Sequence, residues 1–363
     1  MHAVGLVRRP SLLFVPVSGP VGTGEYVRSY TIAEGFQAKH PDARIRFVLS
    51  RHAPVAKSCP FETVLLDRSP THETAALTEL LERDPPDVTV FDNAGRMAAL
   101  RAARRAGSRV VWISRRPKLR WKAFRAHCLP LLDEHWIAFP RFLEGDIGPW
   151  EQAKLRLFGD VQVRFLGAVF TPTNAARRRT LLERLGLDED GYALLTPGGG
   201  GQRGHGPQAP EIFAHAAERV AERTGVPVVI TTGLNASDSP PLGNGVRRVP
   251  ELAPGELPDL MSSARALALN GGTTLTQALA LGKTAVSAPV ASDQHRRVRL
   301  CGRRGVVIPA SLHEGDIAAG LEALLTDDGL RDDMTRRIAE VDVDNGREGA
   351  VAALDELLAR GRA

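Results

Sequence analysis

The sequence predicts an α/β chain of two Rossmann-like halves, each a doubly wound parallel sheet, facing one another across a cleft. Three observations predict it. Short apolar or β-branched runs alternate with amphipathic segments from end to end. The alternation pauses once, at TPTNAARRR (171–179), and then restarts. A chain of 363 residues also exceeds one typical core and matches two domains of about 150–200 residues each.

Taken in order, the strand candidates of the first half are SLLFVPV (11–17), RIRFVLS (44–50), ETVLLD (62–67), DVTVFD (87–92), RVVWIS (109–114), EHWIAF (134–139) and VRFLGAV (163–169). Helical spacing lies between them at 26–38, 72–83 and 94–106; Tyr26, Tyr30, Ala33 and Phe36 show the three- and four-residue interval. Apolar strands separated by helices build βαβ units and a sheet covered on both faces. The Thr-Pro-Thr-Asn cluster at 171–174 ends this half and caps the next helix. Strand candidates then resume at YALLTP (192–197), VPVVIT (226–231), GVRRVP (245–250), ARALAL (264–269), KTAVSA (283–288) and GVVI (305–308). Helices are expected at 208–224, 256–263, 273–281 and 292–302, and from 312 onward the chain reads as charged helices only. The expected division is 1–170, 171–345 and a C-terminal helix over 346–363. Ligands of such sheets bind at the carboxyl ends of the strands.

Composition narrows the class. With 43% hydrophobic and 25% charged residues the chain reads as soluble and globular. Its net charge of +5 is too modest to argue for nucleic acid, yet suits an anionic ligand or surface. Cys59, Cys128 and Cys301 form neither a metal spacing nor a disulfide framework, which favours a reducing cytoplasm. The N-terminal run LLFVPV is far shorter than the roughly 18 apolar residues of a membrane span and reads as a buried strand.

Three glycine-rich loops each follow a strand and precede a helix: GPVGTG (19–24), PGGGGQRGHG (197–206) and NGGTT (270–274). A helix N-terminus offers N–H groups and a positive dipole end to an anion. None of the three matches a dinucleotide fingerprint or a Walker A loop. Each alone is compatible with simple turn chemistry. The two in the second half, with the hydroxyls of Thr273 and Thr274, together favour a phosphate or diphosphate site.

The run NGGTTLTQALALGKTAVSAPVASDQ (270–294) resembles the donor-binding segment of GT-B glycosyltransferases. The similarity is closest to the branch that contains the lipid II-forming N-acetylglucosaminyltransferase and the UDP-sugar hydrolase of pseudaminic acid synthesis. Asn270, Gly271, Gly272, Thr274, Ala280, Gly282 and the Asp293–Gln294 pair carry it. GGGGQRG resembles a second glycine turn of that family, with Gly201 in a serine position, and GTGEYVRS resembles its G-x-G-H-x-x-R motif through Gly22, Gly24 and Arg28. The resemblance implies a donor, UDP-linked by expectation, held by Gly199, Gly200, Gly201, Gln202, Arg203, Gly271, Gly272, Thr273 and Thr274. Gln277 is implied at the ribose, and Asp293 and Gln294 at sugar hydroxyls; a plain helix-cap pair is the alternative for these two. It further implies an acceptor side in the first half, at Gly22, Gly24 and Arg28, and no metal or resident cofactor. The chain departs from the family's residues at Glu25 (for His), Gln277 (for Glu), Lys283 (for Pro) and Arg297 (for Asn).

Two carboxylates are candidates for the base. Glu25 serves if burial raises its pKa toward neutrality; otherwise it is a first-turn acid worth about 0.3–1 kcal/mol against the helix dipole. Asp92 ends a strand and is either the base or the N-cap of the next helix. His127, His205 and His295 are outside candidates. RRPKLRWKAFR (115–125) has six basic residues and no acid, interleaved with Trp121 and Phe124. It reads as a contact with an anionic membrane surface or acidic acceptor, or as a solvated basic helix with its aromatics turned inward. The expected activity is metal-independent, inverting sugar transfer in the cytoplasm, reaching the inner face of the membrane. A nucleotide-sugar hydrolase and a catalytically silent nucleotide-sugar-binding protein are the alternatives.

Overall fold

The computed structural model describes residues 9–19, 23–115, 117–198, 208–231, 242–249 and 252–361. The chain divides into two compact units: Met1–Ala138 with Gly145–Leu166 and Gly346–Ala363, and Phe139–Glu144 with Gly167–Asn345.

The first unit runs β1 (Ser11–Pro16), α1 (Gly24–Lys39), β2 (Arg44–Ser50), β3 (Glu62–Leu66), α2 (Thr74–Arg83), β4 (Val88–Asp92), α3 (Met97–Arg105), β5 (Arg109–Ser114), α4 (Pro117–Ala123) and β6 (Glu134–Ile137). The short α5 (Arg141–Glu144) belongs to the other unit; α6 (Pro149–Phe158) and β7 (Gln162–Phe165) then complete this sheet. All seven strands are parallel, in the order β3-β2-β1-β4-β5-β6-β7. Leu13, Val15, Phe91 and Trp112 pack beneath α2 and α3 in one core, as expected of strands that bury both faces.

The second unit runs α7 (Ala175–Leu185), β8 (Ala193–Thr196), α8 (Ala209–Thr224), β9 (Val228–Thr231), β10 (Val246–Val249), α9 (Glu256–Ser263), β11 (Ala266–Asn270), α10 (Thr273–Ala280), β12 (Ala285–Ala288), α11 (Gln294–Arg303), β13 (Ile308–Pro309), α12 (Glu314–Thr326) and α13 (Asp328–Glu340). Its parallel order, β10-β9-β8-β11-β12-β13, repeats that of the first sheet's leading six strands. Asn174 caps α7, its side chain accepting from the Arg177 N–H at 2.9 Å, as the Thr-Pro-Thr-Asn cluster predicts.

The division differs from the sequence expectation in three places, each with a cause. The chain passes to the second unit at Gly167 rather than after residue 170, because Ala168 N–H donates to the Asp344 carbonyl and Phe170 N–H to Asn345 Oδ1. Residues 139–144 join it because Phe139 and Leu143 are buried in its core. The C-terminal helix α14 (Arg347–Ala359) packs on α1 of the first unit, where Asp355 pairs with Lys39 and His40 at 2.5 and 2.6 Å. The GVVI strand also shrinks: only Ile308–Pro309 pairs with β12, since Gly305 turns at φ +66. Among the described residues no helix is long and apolar enough to cross a membrane.

Candidate functional site

In each sheet the strand order reverses direction beside its first strand, between β1 and β4 and between β8 and β11. Loops at the carboxyl ends of those strands diverge and leave a crevice for a ligand. Among the described residues, 17–19 and 93–96 follow the strands at the first switch point, and 197–198 and 271–272 those at the second. The described parts of the sequence motifs, Gly19, Gly198 and the Gly271–Gly272 pair, therefore lie at the topologically favoured strand ends.

At the first switch point Arg28, from the second turn of α1, reaches Asp92 at the end of β4. Its Nε donates to Oδ2 at 2.9 Å and an Nη to Oδ1 at 2.5 Å; the Ser29 hydroxyl adds a 3.4 Å contact. Both partners are buried. Burial pushes the Asp92 carboxyl up to about 6, against the pull of Arg28. Asp92 does not cap the following helix, because α3 begins at Met97 behind Arg96. Instead it is the counter-ion that holds Arg28 beneath α1.

Glu25 lies in the first turn of α1 and keeps a little solvent exposure. Asn93 Nδ2 donates to its Oε1 at 2.8 Å, and an Nη of Arg115 stands 3.8 Å away. Asn93 is left-handed at φ 56, a conformation asparagine tolerates better than most residues. That turn lets its Oδ1 accept from the Arg115 N–H at 3.1 Å while Nδ2 faces Glu25. Burial alone would raise the Glu25 carboxyl, but the Arg28 and Arg115 guanidiniums and the Asn93 amide outweigh it and hold it below the usual range. In the ligand-free site, then, Glu25 is a carboxylate held below the usual range and not one raised toward neutrality. Gly24 sits beside it, 3.5 Å from the Arg115 guanidinium at the place a Cβ would occupy.

Asn93 and Arg115 were not singled out from the sequence. The available signal was an asparagine directly after a strand-end carboxylate, at a position that needs a left-handed turn. Ser114 and His135, 2.8 Å apart, are fully enclosed, and burial drives the imidazole down to about 3, so the pair stays neutral in the core. His127 and His295 lie at exposed positions.

At the second switch point Asn270 ties the loops together. Its Nδ2 donates to the Pro197 carbonyl at 2.9 Å, and its Oδ1 accepts from Gly272 N–H at 2.6 Å. Gly198 fits against it only as glycine: φ is +82, and a Cβ would stand 2.0 Å from Asn270 Nδ2. Gln294 Oε1 accepts from Gly271 N–H at 3.1 Å and Val290 N–H at 2.8 Å, so its amide clamps two loops. Arg297 stacks 4.6 Å over Phe139, donates to the Gly271 carbonyl and pairs with Asp293. A buried cation thus stands directly behind the glycine pair.

Thr273 and Thr274 open α10, half-buried; Thr274 Oγ1 lies 3.5 Å from Asn270 Oδ1. Gln277 is buried one turn on, and its Oε1 meets no donor among the described residues. Gly22, Gly199, Gly200, Gly201, Gln202, Arg203 and His205 lie outside the described residues. The structure brings together Glu25, Arg28 and Asp92 in one network, and Asn270, Gly271, Gly272, Asp293 and Gln294 in the other.

Two parallel doubly wound sheets of this order, with a C-terminal helix returned to the first unit, constitute the GT-B fold. Solved structures share it over the whole chain. The kitacinnamycin glycotransferase is 17% identical, with 96% of this chain and 99% of that one covered and a TM-score of 0.65. The calicheamicin glycosyltransferase is 20% identical, with 97% and 99% covered and a TM-score of 0.64. A protein of Listeria monocytogenes described as a UDP-N-acetylglucosamine 2-epimerase is 12% identical, with 96% of each chain covered and a TM-score of 0.60. No protein-family model matches the chain, and no curated protein matches it by sequence. The fold thus accompanies more than one sugar chemistry, and the activity has to be argued from the site.

Proposed function

We propose that the chain transfers a sugar from a nucleotide-diphosphate donor, UDP-linked, to an acceptor received at the Glu25 loop, with inversion and without a metal. The observation that carries this reading is the Asn270 clamp. It joins the two switch-point loops of a GT-B unit at the start of α10 and sets a buried cation, Arg297, behind them.

The chemistry follows from those groups. The acceptor hydroxyl attacks the anomeric carbon, the bond from that carbon to the diphosphate oxygen breaks, and the hydroxyl proton passes to Glu25. Negative charge grows on the departing diphosphate. The N–H groups and dipole of α10, the hydroxyls of Thr273 and Thr274 and the field of Arg297 stabilise it, which is the work a metal does elsewhere. Gln277 takes a ribose hydroxyl, which would supply its buried Oε1 with a donor. Asp293 and the Nε2 end of Gln294 complete the sugar side, and Gly22, Gly24 and Arg28 shape the acceptor loop. We place the acceptor at an anionic surface on the inner face of the membrane, approached through the basic segment 115–125.

A second reading, a silent nucleotide-sugar-binding protein, draws support from the held-down Glu25 carboxyl, which makes a weak base. The test is a panel of UDP-, GDP- and dTDP-sugars scored for thermal shift and for released nucleoside diphosphate, with Glu25→Gln alongside. Transfer predicts turnover that Glu25→Gln lowers by about 10²–10⁴-fold at unchanged nucleotide affinity. Unchanged turnover removes Glu25 from the mechanism, and binding without consumption selects the silent reading. Free sugar released without any acceptor would mean hydrolysis, and a flat panel would sink every nucleotide-sugar reading.

A further inference from the structure

The first unit carries an apolar surface that the reading above leaves unused. Five large hydrophobic side chains are exposed among the described residues, and three belong to α4 and α6: Trp121 at 56%, Trp150 at 81% and Leu157 at 74%. Helix α6 buries no residue completely. Leu155 and Phe158 pack toward the core, while Trp150, Ala153 and Leu157, at intervals of three and four, form a stripe on the opposite side. Burying Trp150 in place of exposing it would have been the ordinary outcome for a residue of that size.

Helices α4 and α6 are joined. Arg120 donates to both carboxylate oxygens of Glu151, at 3.1 and 2.7 Å, and to the carbonyls of Gly145 and Asp146 at 2.9 and 2.8 Å. Trp121 and Trp150 are the chain neighbours of that bridge, so the two indoles stand on adjoining helices. The sequence expectation for 115–125 is thereby divided: Phe124 and Arg120 turn inward as structural groups, and Trp121 turns out, with Arg125 stacked 4.1 Å over its ring.

The charge around the stripe is mainly basic, with the exposed acids Asp146 and Asp160 lying just beyond the two ends of α6. From Arg115 to Leu132 the sequence has no acid, and the single acid of α6, Glu151, is taken up by Arg120. Lys118 and Lys122 adjoin Trp121 on α4, while Lys154 and Arg156 flank the α6 stripe. Exposed indoles set among lysines and arginines match the boundary of an anionic bilayer, where tryptophan rings reside at headgroup depth and basic side chains meet phosphate.

We infer that the Trp121, Trp150 and Leu157 face of α4 and α6 is an interfacial anchor that seats the first unit on an anionic lipid surface. This deepens the acceptor reading and moves the main contact from segment 115–125 to α6. It rests on that reading for its purpose only, since lipid binding is measured with no sugar donor present.

The full chain is sedimented with vesicles of equal parts phosphatidylglycerol and phosphatidylcholine, and with phosphatidylcholine alone. Binding is expected to the mixed vesicles only and to weaken with salt. Tryptophan emission should shift to the blue, reporting Trp121 and Trp150 because Trp112 and Trp136 are already buried. Trp150→Asp with Leu157→Asp should abolish partitioning without changing the melting temperature. Lys118→Ala with Lys122→Ala should lower partitioning roughly 25-fold, about fivefold for each charge. Equal binding to both vesicle types, no binding at low salt, or full binding by the aspartate variant overturns the inference. So does a dimer in sedimentation velocity that Trp150→Asp splits, because a second copy would then own the face.

Discussion

Replacing Arg28 by methionine tests the electrostatic core of the first switch point. The substitution keeps most of the side-chain volume but leaves Asp92 fully enclosed and without its cation. Two hydrogen bonds, at 2.9 and 2.5 Å, disappear with the charge. Breaking a buried pair from one side costs about 3–5 kcal/mol, because the remaining ion has lost both water and partner. The cost should depend on pH in a defined direction. Burial already sets the folded Asp92 value at about 6, above the unfolded value of about 3.9. In the native chain the stability linked to this proton is therefore fully present below pH about 4 and lost as pH rises through about 6, a change of about 3 kcal/mol. Without Arg28 the folded value moves further up, so the variant should suffer much less at pH 5 than at pH 8. Because two units need not unfold in one step, the assay is hydrogen exchange of the β4 amides, Val88–Asp92, at both pH values. Adding Asp92→Asn should restore part of the loss at pH 8. A penalty below 1 kcal/mol, the same penalty at both pH values, or no rescue by Asp92→Asn would refute the argument.

Two further outcomes are expected. Gly198→Ala should lower stability by about 1–3 kcal/mol in thermal melts and weaken nucleotide binding, since a Cβ there lies 2.0 Å from Asn270 Nδ2 at φ +82. Melting and nucleotide affinity equal to those of the parent chain would show that the Asn270 clamp is not needed. Asn93→Ala should move the Glu25 carboxyl up, read by carbon NMR titration, because the amide that helps hold it down is removed. Glu25 is depressed in the folded chain, so its stability contribution is present above the unfolded value and lost as pH falls through the folded one. The variant should therefore lose less stability on acidification; an unmoved titration would assign the depression to the two arginines and the backbone N–H of Glu25.

The sheet architecture was legible because both faces of the central strands are buried, which leaves runs such as SLLFVPV and VTVF free of charged residues. The repeated strand order follows from right-handed crossovers between successive βαβ units and needs no special residue. What was not legible depends on partners distant in the chain. Phe139 and Leu143 look like the tail of a first-half strand and loop, but they bury in a core made of residues from 168 onward. Helix α6 escaped notice because it has no completely buried residue, and its apolar positions point two ways. Both are failures of a one-dimensional pattern to say which core a residue serves.

The candidate site shows the same limit at the level of single side chains. Glu25 and Asp92 were visible as carboxylates at loop positions, and nothing in their spacing separates a base from a counter-ion. Enclosure separates them. Asp92 is wholly buried with both oxygens engaged by Arg28, so no acceptor hydroxyl can reach it. Glu25 keeps one oxygen on Asn93 and stays partly exposed, so of the two it alone is open to a group from outside the chain. The Asn93 amide that helps hold it down also fixes its orientation, trading basicity for a single geometry. A carboxylate arranged in this way gains proton affinity when an acceptor desolvates it, because burial is the one force on it that acts upward. Binding of the acceptor, not the resting site, would then set the base to work.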